Sequence, residues 1–145
     1  MMRSSRKRNP VVVLDTNVWV SAMIWGGAPA KIVEAAERGE IEVIASMEII
    51  SEIGDVLSYS KIESVYSEAG LSRRDLVEAV FRVTRIINVD MKAEAVAENP
   101  SDNKFIECAL VGGAGYVVSG DRHLIKLGSY NGVKILSVSE FLKLI

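Results

Sequence analysis

The sequence predicts a single α/β domain in which helices cover both faces of a central parallel sheet. Short β-branched apolar runs alternate along the chain with segments of helical periodicity. The runs lack polar alternation, which is typical of strands buried on both faces. Strands that alternate with helices are joined by right-handed crossovers and therefore lie parallel. The length of 145 residues suits one such domain.

The strands are predicted from their composition. Four runs rich in Val and Ile mark them: residues 11–15, 41–45, 116–119 and 133–136. A further short extended piece is predicted at residues 88–90.

The helices are predicted from their apolar spacing and their end signals. Pro29 suits a first helical turn and Gly39 a stop, while Ser46 and Ser72 suit N-caps. The resulting segments are residues 29–39, 46–57, 73–87, 101–112 and 137–145. The glycines that follow residue 111 are interpreted as a helix stop, because no strand precedes them as in a phosphate-binding loop.

The composition excludes several classes of protein. The chain has 17 Lys and Arg against 19 Asp and Glu, and the basic residues of the first nine positions predict a disordered tail before a domain at residues 10–145. A single cysteine, Cys108, excludes a disulfide framework and a Cys-rich zinc site. The first apolar run stops at Asp15, too early for a signal peptide, and the longest uncharged stretch is too short and broken to span a membrane. We therefore expect a cytoplasmic protein with no membrane partner.

Three aspartates are predicted to meet at one edge of the sheet. Asp15 follows the first strand and Asp121 follows the strand at residues 116–119. Ligands gather at the carboxyl ends of parallel strands, near the point where the strand order reverses. Asp102 lies in a first helical turn, on the same side as the apolar Phe105 and Ile106, so we expect it to point inward.

Converging carboxylates need a compensating charge. Like charges a few ångströms apart cannot all stay ionised, and oxygen-rich ligation suits Mg²⁺ or Mn²⁺ better than zinc. Such a cation would support hydrolysis of a phosphodiester bond. The pattern of acids alone leaves other hydrolases and receiver domains open. Glu52, judged from its helix alone, is interpreted as an exposed glutamate.

Three motifs, at residues 11–18 (VVVLDTNV), 102–109 (DNKFIECA) and 116–121 (YVVSGD), resemble those of PIN domains. In their order and spacing they resemble the PIN-family toxins of prokaryotic toxin–antitoxin systems, which are related to VapC-type ribonucleases. The resemblance implies a Rossmann-like sheet, cleavage of RNA with Mg²⁺ or Mn²⁺, a small antitoxin as partner, and a homodimer. It also implies that four residues are catalytic and bind metal: Asp15, Glu52, Asp102 and Asp121. The matching polar neighbours are Thr16, Asn17 and Ser119.

The chain departs from the PIN pattern at three positions. Relatives often carry further acids where this chain has Asn99 and Ser101, and another where it has His123. We interpret His123 as a surface or phosphate-contacting residue on a loop, not as a metal ligand. Lys104 and Arg122, which lie beside the acidic motifs, are expected to contact RNA.

Two other protein classes that place acids at strand ends do not fit these residues. Haloacid dehalogenase phosphatases need a second aspartate where this chain has Asn17, and a receiver domain needs an acidic pair that residues 11–14 lack. The alternative from another class is a PIN module that binds RNA or a partner protein without cleaving. Trp19 and Trp25 are interpreted as core or dimer-interface residues, and the apolar helices around residues 18–25 and 49–57 as surface for a dimer.

Overall fold

The computed structural model describes residues 9–96 and 99–145. The strands are β1 (Val11–Leu14), β2 (Glu42–Ala45), β3 (Thr84–Ile86), β4 (Tyr116–Val118), β5 (Ser129–Tyr130) and β6 (Val133–Leu136). The helices are α1 (Thr16–Ile24), α2 (Gly27–Glu37), α3 (Met47–Leu57), α4 (Ser60–Glu68), α5 (Arg73–Val83), α6 (Asn103–Gly112), α7 (Arg122–Leu127) and α8 (Val138–Leu142). A single 3₁₀ turn (Pro100–Asp102) leads into α6.

The strands form one sheet in the order β3-β2-β1-β4-β6-β5. All neighbouring pairs are parallel except β5 and β6, which pair antiparallel. The predicted fold class is confirmed, with the short edge strand β5 as an addition that the sequence did not indicate. Val12 and Val13 point to opposite faces of β1, and both are fully buried, so helices cover both faces.

The buried apolar residues of the sheet and its helices form one core. Trp19 is buried in the core, one of its two predicted places, whereas Trp25 is 65% exposed and lies outside the core. Cys108 is buried as well. The apolar residues of the two segments proposed as dimer surface mostly face inward, since Val18, Ile49 and their neighbours pack inside the protomer. Only the outward-facing residues of these segments, such as Trp25, are available to a partner, and the dimer surface stays a prediction.

The predicted helix caps at Ser46 and Ser72 are confirmed. The Ser46 hydroxyl accepts a hydrogen bond from the Ile49 N–H, and Ser72 forms a reciprocal capping box with Asp75. The helix after Ser72 ends at Val83, however, and not at residue 87. Residues 84–86 pair with β2 instead, because pairing at the sheet edge overrides the helical spacing that continues to Ile87. The strand predicted at residues 88–90 therefore lies earlier in the chain, and residues 88–90 form no strand.

Two short helices, α4 and α7, were missed. Helix α4 is largely polar and buries only Tyr66, so its sequence has little apolar periodicity. Helix α7 has six residues and begins directly after Asp121. The prediction that His123 lies on a loop is wrong, because His123 is the second residue of this helix.

Buried polar side chains of α6 hold the long connection that follows β3. The Asn103 side chain accepts a hydrogen bond from the Val96 N–H at 2.7 Å. Glu107, which is 5% exposed, accepts one from the Ala93 N–H at 2.9 Å. These bonds anchor the connection to the helix that carries Asp102 at its start.

Two further expectations concern the basic tail and the lack of a membrane-spanning segment. Most of the predicted basic tail, residues 1–8, lies outside the described residues, while Asn9 donates a hydrogen bond to the Gly39 carbonyl. Within residues 9–96 and 99–145, no helix combines the length and apolar character needed to cross a membrane.

Candidate functional site

The acids meet where the strand order reverses. From β1 the chain builds β2 and β3 on one side, and later β4 and β6 on the other. Asp15 follows β1, and Asp121 comes three residues after β4, so both lie at this switch point. A cleft of about 210 Å³ opens there. Its lining residues include the four predicted acids together with Thr16, Asn17, Asn99, Ser101, Val56 and Phe105.

Asp15 is buried, and both of its carboxylate oxygens accept hydrogen bonds. It is the N-cap of α1, so Oδ1 accepts from the Val18 N–H at 2.9 Å. Oδ2 accepts from the Ser119 hydroxyl. Burial raises the pKa of Asp15, and the bonds from Ser119, Val18 and Gly120 oppose that increase. The strand end therefore fixes this carboxylate in one orientation.

Glu52 on α3 is also held through both oxygens. Oε1 accepts a hydrogen bond from the Thr16 hydroxyl, and Oε2 lies 3.1 Å from the Lys104 ammonium. The Lys104 side chain is only 5% exposed, donates to the Ser101 carbonyl and lies 5.0 Å from the centre of the Phe105 ring. Glu52 thus lines the cleft with its side chain partly exposed, as the resemblance to PIN domains implied and its helix pattern did not.

Asp121 is fixed by the start of α7. As the N-cap residue it accepts a hydrogen bond from the His123 N–H at 2.7 Å, and its own N–H donates to the Ser119 hydroxyl at 2.9 Å. Ser119 therefore connects Asp15 to Asp121. The His123 Nδ1 atom lies 3.5 Å from Asp121 Oδ1, so the imidazole lies beside the carboxylate.

Asp102 differs from the other acids. It points inward as predicted and is 9% exposed, but its side chain does not cap α6. Its Oδ2 atom is buried and accepts no hydrogen bond from any described residue. Burial and then the charge of Asp121 raise the pKa of Asp102 from 3.8 to about 6, although Lys104 acts in the opposite direction. Within the described residues, an ionised Asp102 therefore has no hydrogen-bond donor for Oδ2 and lies near the like charge of Asp121.

The donor set fits a divalent cation. Asp102, Asp121 and His123 each offer a ligand atom, and these atoms lie within 4.8 Å of one another. The buried and unpartnered oxygen of Asp102 is the kind of group that a cation would satisfy. Carboxylate oxygens are the ligands that Mg²⁺ and Mn²⁺ prefer, and an imidazole is compatible with Mn²⁺.

Of the three remaining residues predicted to contact or support RNA, two are exposed and one is buried. Asn17 is exposed at the cleft, and Arg122 is exposed at the start of α7. Lys104 is buried against Glu52, so its ammonium does not lie on the surface where an RNA contact was expected. The pair of Lys104 and Glu52 joins residues 52 apart in sequence, and local spacing contains no signal for such a contact.

A family model for the PIN domain matches residues 11–123, well over half of the chain. This chain belongs to the PIN domain family. The match begins in β1 and ends within α7, so it contains all four acids of the cleft. PIN domains are generally nucleases. No curated protein has a significantly similar sequence.

Two solved structures support the PIN fold. One is a chain from the crystal structure of VapBC2 from Rickettsia felis bound to a DNA fragment from their promoter. It is 14% identical with a TM-score of 0.61, and the alignment covers 88% of this chain and 98% of that one. The other is PAE2754 from Pyrobaculum aerophilum, 17% identical with a TM-score of 0.56, covering 94% of this chain and 96% of that one. At these identities the likeness concerns the fold.

Proposed function

We propose that this PIN domain is an Mg²⁺- or Mn²⁺-dependent endoribonuclease and the toxin of a toxin–antitoxin pair. The observation that carries the proposal is the convergence of four carboxylates in one cleft, with a buried Asp102 oxygen that no described residue satisfies. Membership of a family of nucleases supports the same reading.

Each residue has a role in this proposal. Asp15, Asp102 and Asp121 hold the cation, and Glu52 completes the acidic wall. A divalent cation at this place supplies neutralisation of the phosphate charge and activation of the attacking water. Thr16 and Lys104 orient Glu52, and Ser119 orients Asp15. We assign Lys104 to this positioning role, since its ammonium is buried, and leave phosphate contact to the exposed Arg122 and Asn17.

The test is cleavage of a labelled RNA by the purified protein with Mn²⁺, Mg²⁺ or EDTA. We expect cleavage with either metal and none in EDTA. Asp15→Asn, Asp102→Asn and Asp121→Asn should each lose at least about 100-fold in rate while keeping the native circular dichroism spectrum. Asp55→Asn, at an exposed carboxylate on the same helix as Glu52, is the matched control and should cleave normally. RNA that is bound but never cut would favour the alternative of a non-cleaving module.

We further propose a small antitoxin as partner, supported by the fold shared with a chain from a VapBC2 complex. A basic side chain of the antitoxin, best an arginine, would enter the acidic cleft and replace the cation. Inhibition should then weaken as Mn²⁺ is added. The test is a Mn²⁺ titration of the purified complex, and inhibition that ignores Mn²⁺ would contradict this mode of binding.

A homodimer is part of the same proposal. The apolar groove of about 590 Å³ between α3 and α5 offers surface for it, with Met47 and Phe81 exposed along it. Light scattering should report about twice the protomer mass of 15.8 kDa. A single 15.8 kDa species at micromolar concentration would contradict the dimer.

A further inference from the structure

We propose that the imidazole of His123 is a ligand of the metal centre, together with Asp102 and Asp121, and that it makes the centre prefer Mn²⁺ to Mg²⁺. The ligand atoms of these three residues lie within 4.8 Å of one another, a spacing that one ion can bridge. The inference rests on the metal site of the proposed function, but not on RNA cleavage.

The start of α7 places His123 at the site. The Asp121 carboxylate caps this helix by accepting from the His123 N–H, so one backbone arrangement positions both side chains. The His123 side chain is 39% exposed and its Nδ1 atom lies 3.5 Å from Asp121 Oδ1. The ring is therefore beside the carboxylate and accessible to an ion that enters from solvent.

Asp102 provides the independent observation. Its side chain is buried, and Oδ2 accepts no hydrogen bond within the described parts of the chain. A buried carboxylate oxygen without a donor is costly unless another group satisfies it. A helix-capping or surface role for His123 would leave this oxygen unexplained, whereas a shared ion satisfies it and brings His123 and Asp121 together.

The chemistry of the ligands sets the preference among metals. Mg²⁺ is bound by oxygen ligands and keeps several waters, while imidazole suits the later first-row transition metals and is compatible with Mn²⁺. His123 would contribute a nitrogen ligand where an aspartate would contribute a hard oxygen ligand. The ratio of Mn²⁺ to Mg²⁺ affinity should therefore be higher with His123 than in His123→Asp.

The decisive experiment uses the fact that the chain contains one histidine. Tag-free, metal-stripped protein is loaded with Mn²⁺ and examined by electron spin-echo envelope modulation. We expect modulation from an imidazole nitrogen, and its source can only be His123. The signal should disappear in His123→Ala and His123→Asp and persist in Lys126→Ala, a control at an exposed residue of the same helix.

Calorimetric titration of the same proteins measures the preference. His123→Ala should weaken Mn²⁺ binding about tenfold while changing Mg²⁺ binding less. His123→Asp should move the preference toward Mg²⁺. Bound Mn²⁺ without nitrogen modulation, or equal Mn²⁺ affinity in His123→Ala, would overturn the inference, and so would the absence of Mn²⁺ binding.

The outcome is separate from that of the proposed function. RNA cleavage without nitrogen modulation would overturn the role of His123 and keep the nuclease. Nitrogen modulation in a protein that never cuts RNA would keep the ligand and overturn the nuclease.

Discussion

The two halves of the acidic cleft solve the same electrostatic problem differently. In one half, all four carboxylate oxygens of Asp15 and Glu52 have partners. Three accept hydrogen bonds, from Val18, Ser119 and Thr16, and the fourth, Glu52 Oε2, forms an ion pair with Lys104. In the other half, the buried Oδ2 of Asp102 has no donor from the described chain, and Asp121 adds a like charge beside it. We call these the satisfied half and the open half. The protein alone stabilises the first, while the second is complete only when a cation arrives.

The comparison explains how one cleft can be both rigid and ready to bind. Fixed carboxylates lose no rotamer freedom when an ion binds, which favours affinity. Unsatisfied carboxylates gain a partner at the same moment. If the two halves differ in this way, substitutions in them should change the stability of the metal-free protein differently. Three substitutions test this.

Asp102→Asn should have the largest effect of the three, because it should stabilise the metal-free protein. Because the pKa of Asp102 is raised to about 6, the folded state binds the proton more tightly than the unfolded chain. The contribution of Asp102 to stability is then largest below about pH 4 and is lost as the pH rises through 6. The amide carries no charge, so the variant should be more stable by about 2–3 kcal/mol at pH 8 and equal to wild type near pH 4. Urea unfolding in EDTA measures this.

The matched control for that prediction is Asp55→Asn, which removes an exposed carboxylate. Its stability should follow the wild-type curve across the pH range. Parallel curves for Asp102→Asn and wild type would show that the open half carries no electrostatic cost.

Lys104→Met should break the satisfied half, because it leaves Glu52 beside other acids without its cation. The ammonium is nearly buried but the Glu52 side chain is 36% exposed, so we expect a loss of about 1–2 kcal/mol. Adding Glu52→Gln should recover part of the loss, since the glutamine needs no counter-charge. A double-mutant cycle by urea unfolding in EDTA measures the coupling, and strict additivity would contradict it.

Ser119→Ala should make Asp15 resemble Asp102, with the smallest effect of the three. The change removes the donor to Asp15 Oδ2 and the acceptor of the Asp121 N–H. We expect a loss of about 1 kcal/mol in unfolding free energy. The loss should be larger at pH 8 than at pH 4, because the hydroxyl supports the charged carboxylate. Ser139→Ala, at an exposed serine, is the control, and an equal effect of both would refute the role of Ser119.

The sequence was sufficient to predict the fold class and the place of the aspartates. Runs of Val and Ile, the caps at Ser46 and Ser72, and the position of Asp15 and Asp121 after strands depend on local patterns, which a sequence displays directly. The inward direction of Asp102 followed from its helical face in the same way.

Long-range contacts were beyond prediction from local pattern. The pairing of Lys104 with Glu52, and the position of β3 where helical periodicity continues, are decided by tertiary packing. The start of α7 was hidden because six residues show too little periodicity, and so the placement of His123 beside Asp121 was hidden too. The ion pair of Lys104 with Glu52 and the position of His123 thus depend on tertiary contacts and on a short helix, which local sequence patterns do not reveal.

The short edge strands affect how copies of the chain can associate. Within the described chain, β3 has three residues and β5 has two, and Arg85 on β3 forms an ion pair with Glu42 across the edge. Short strands and charged side chains make poor templates for the addition of another strand. This architecture discourages the joining of sheets from separate protomers into a continuous one, and with it one common route to aggregation. A dimer of this PIN domain would therefore be assembled through its helical faces.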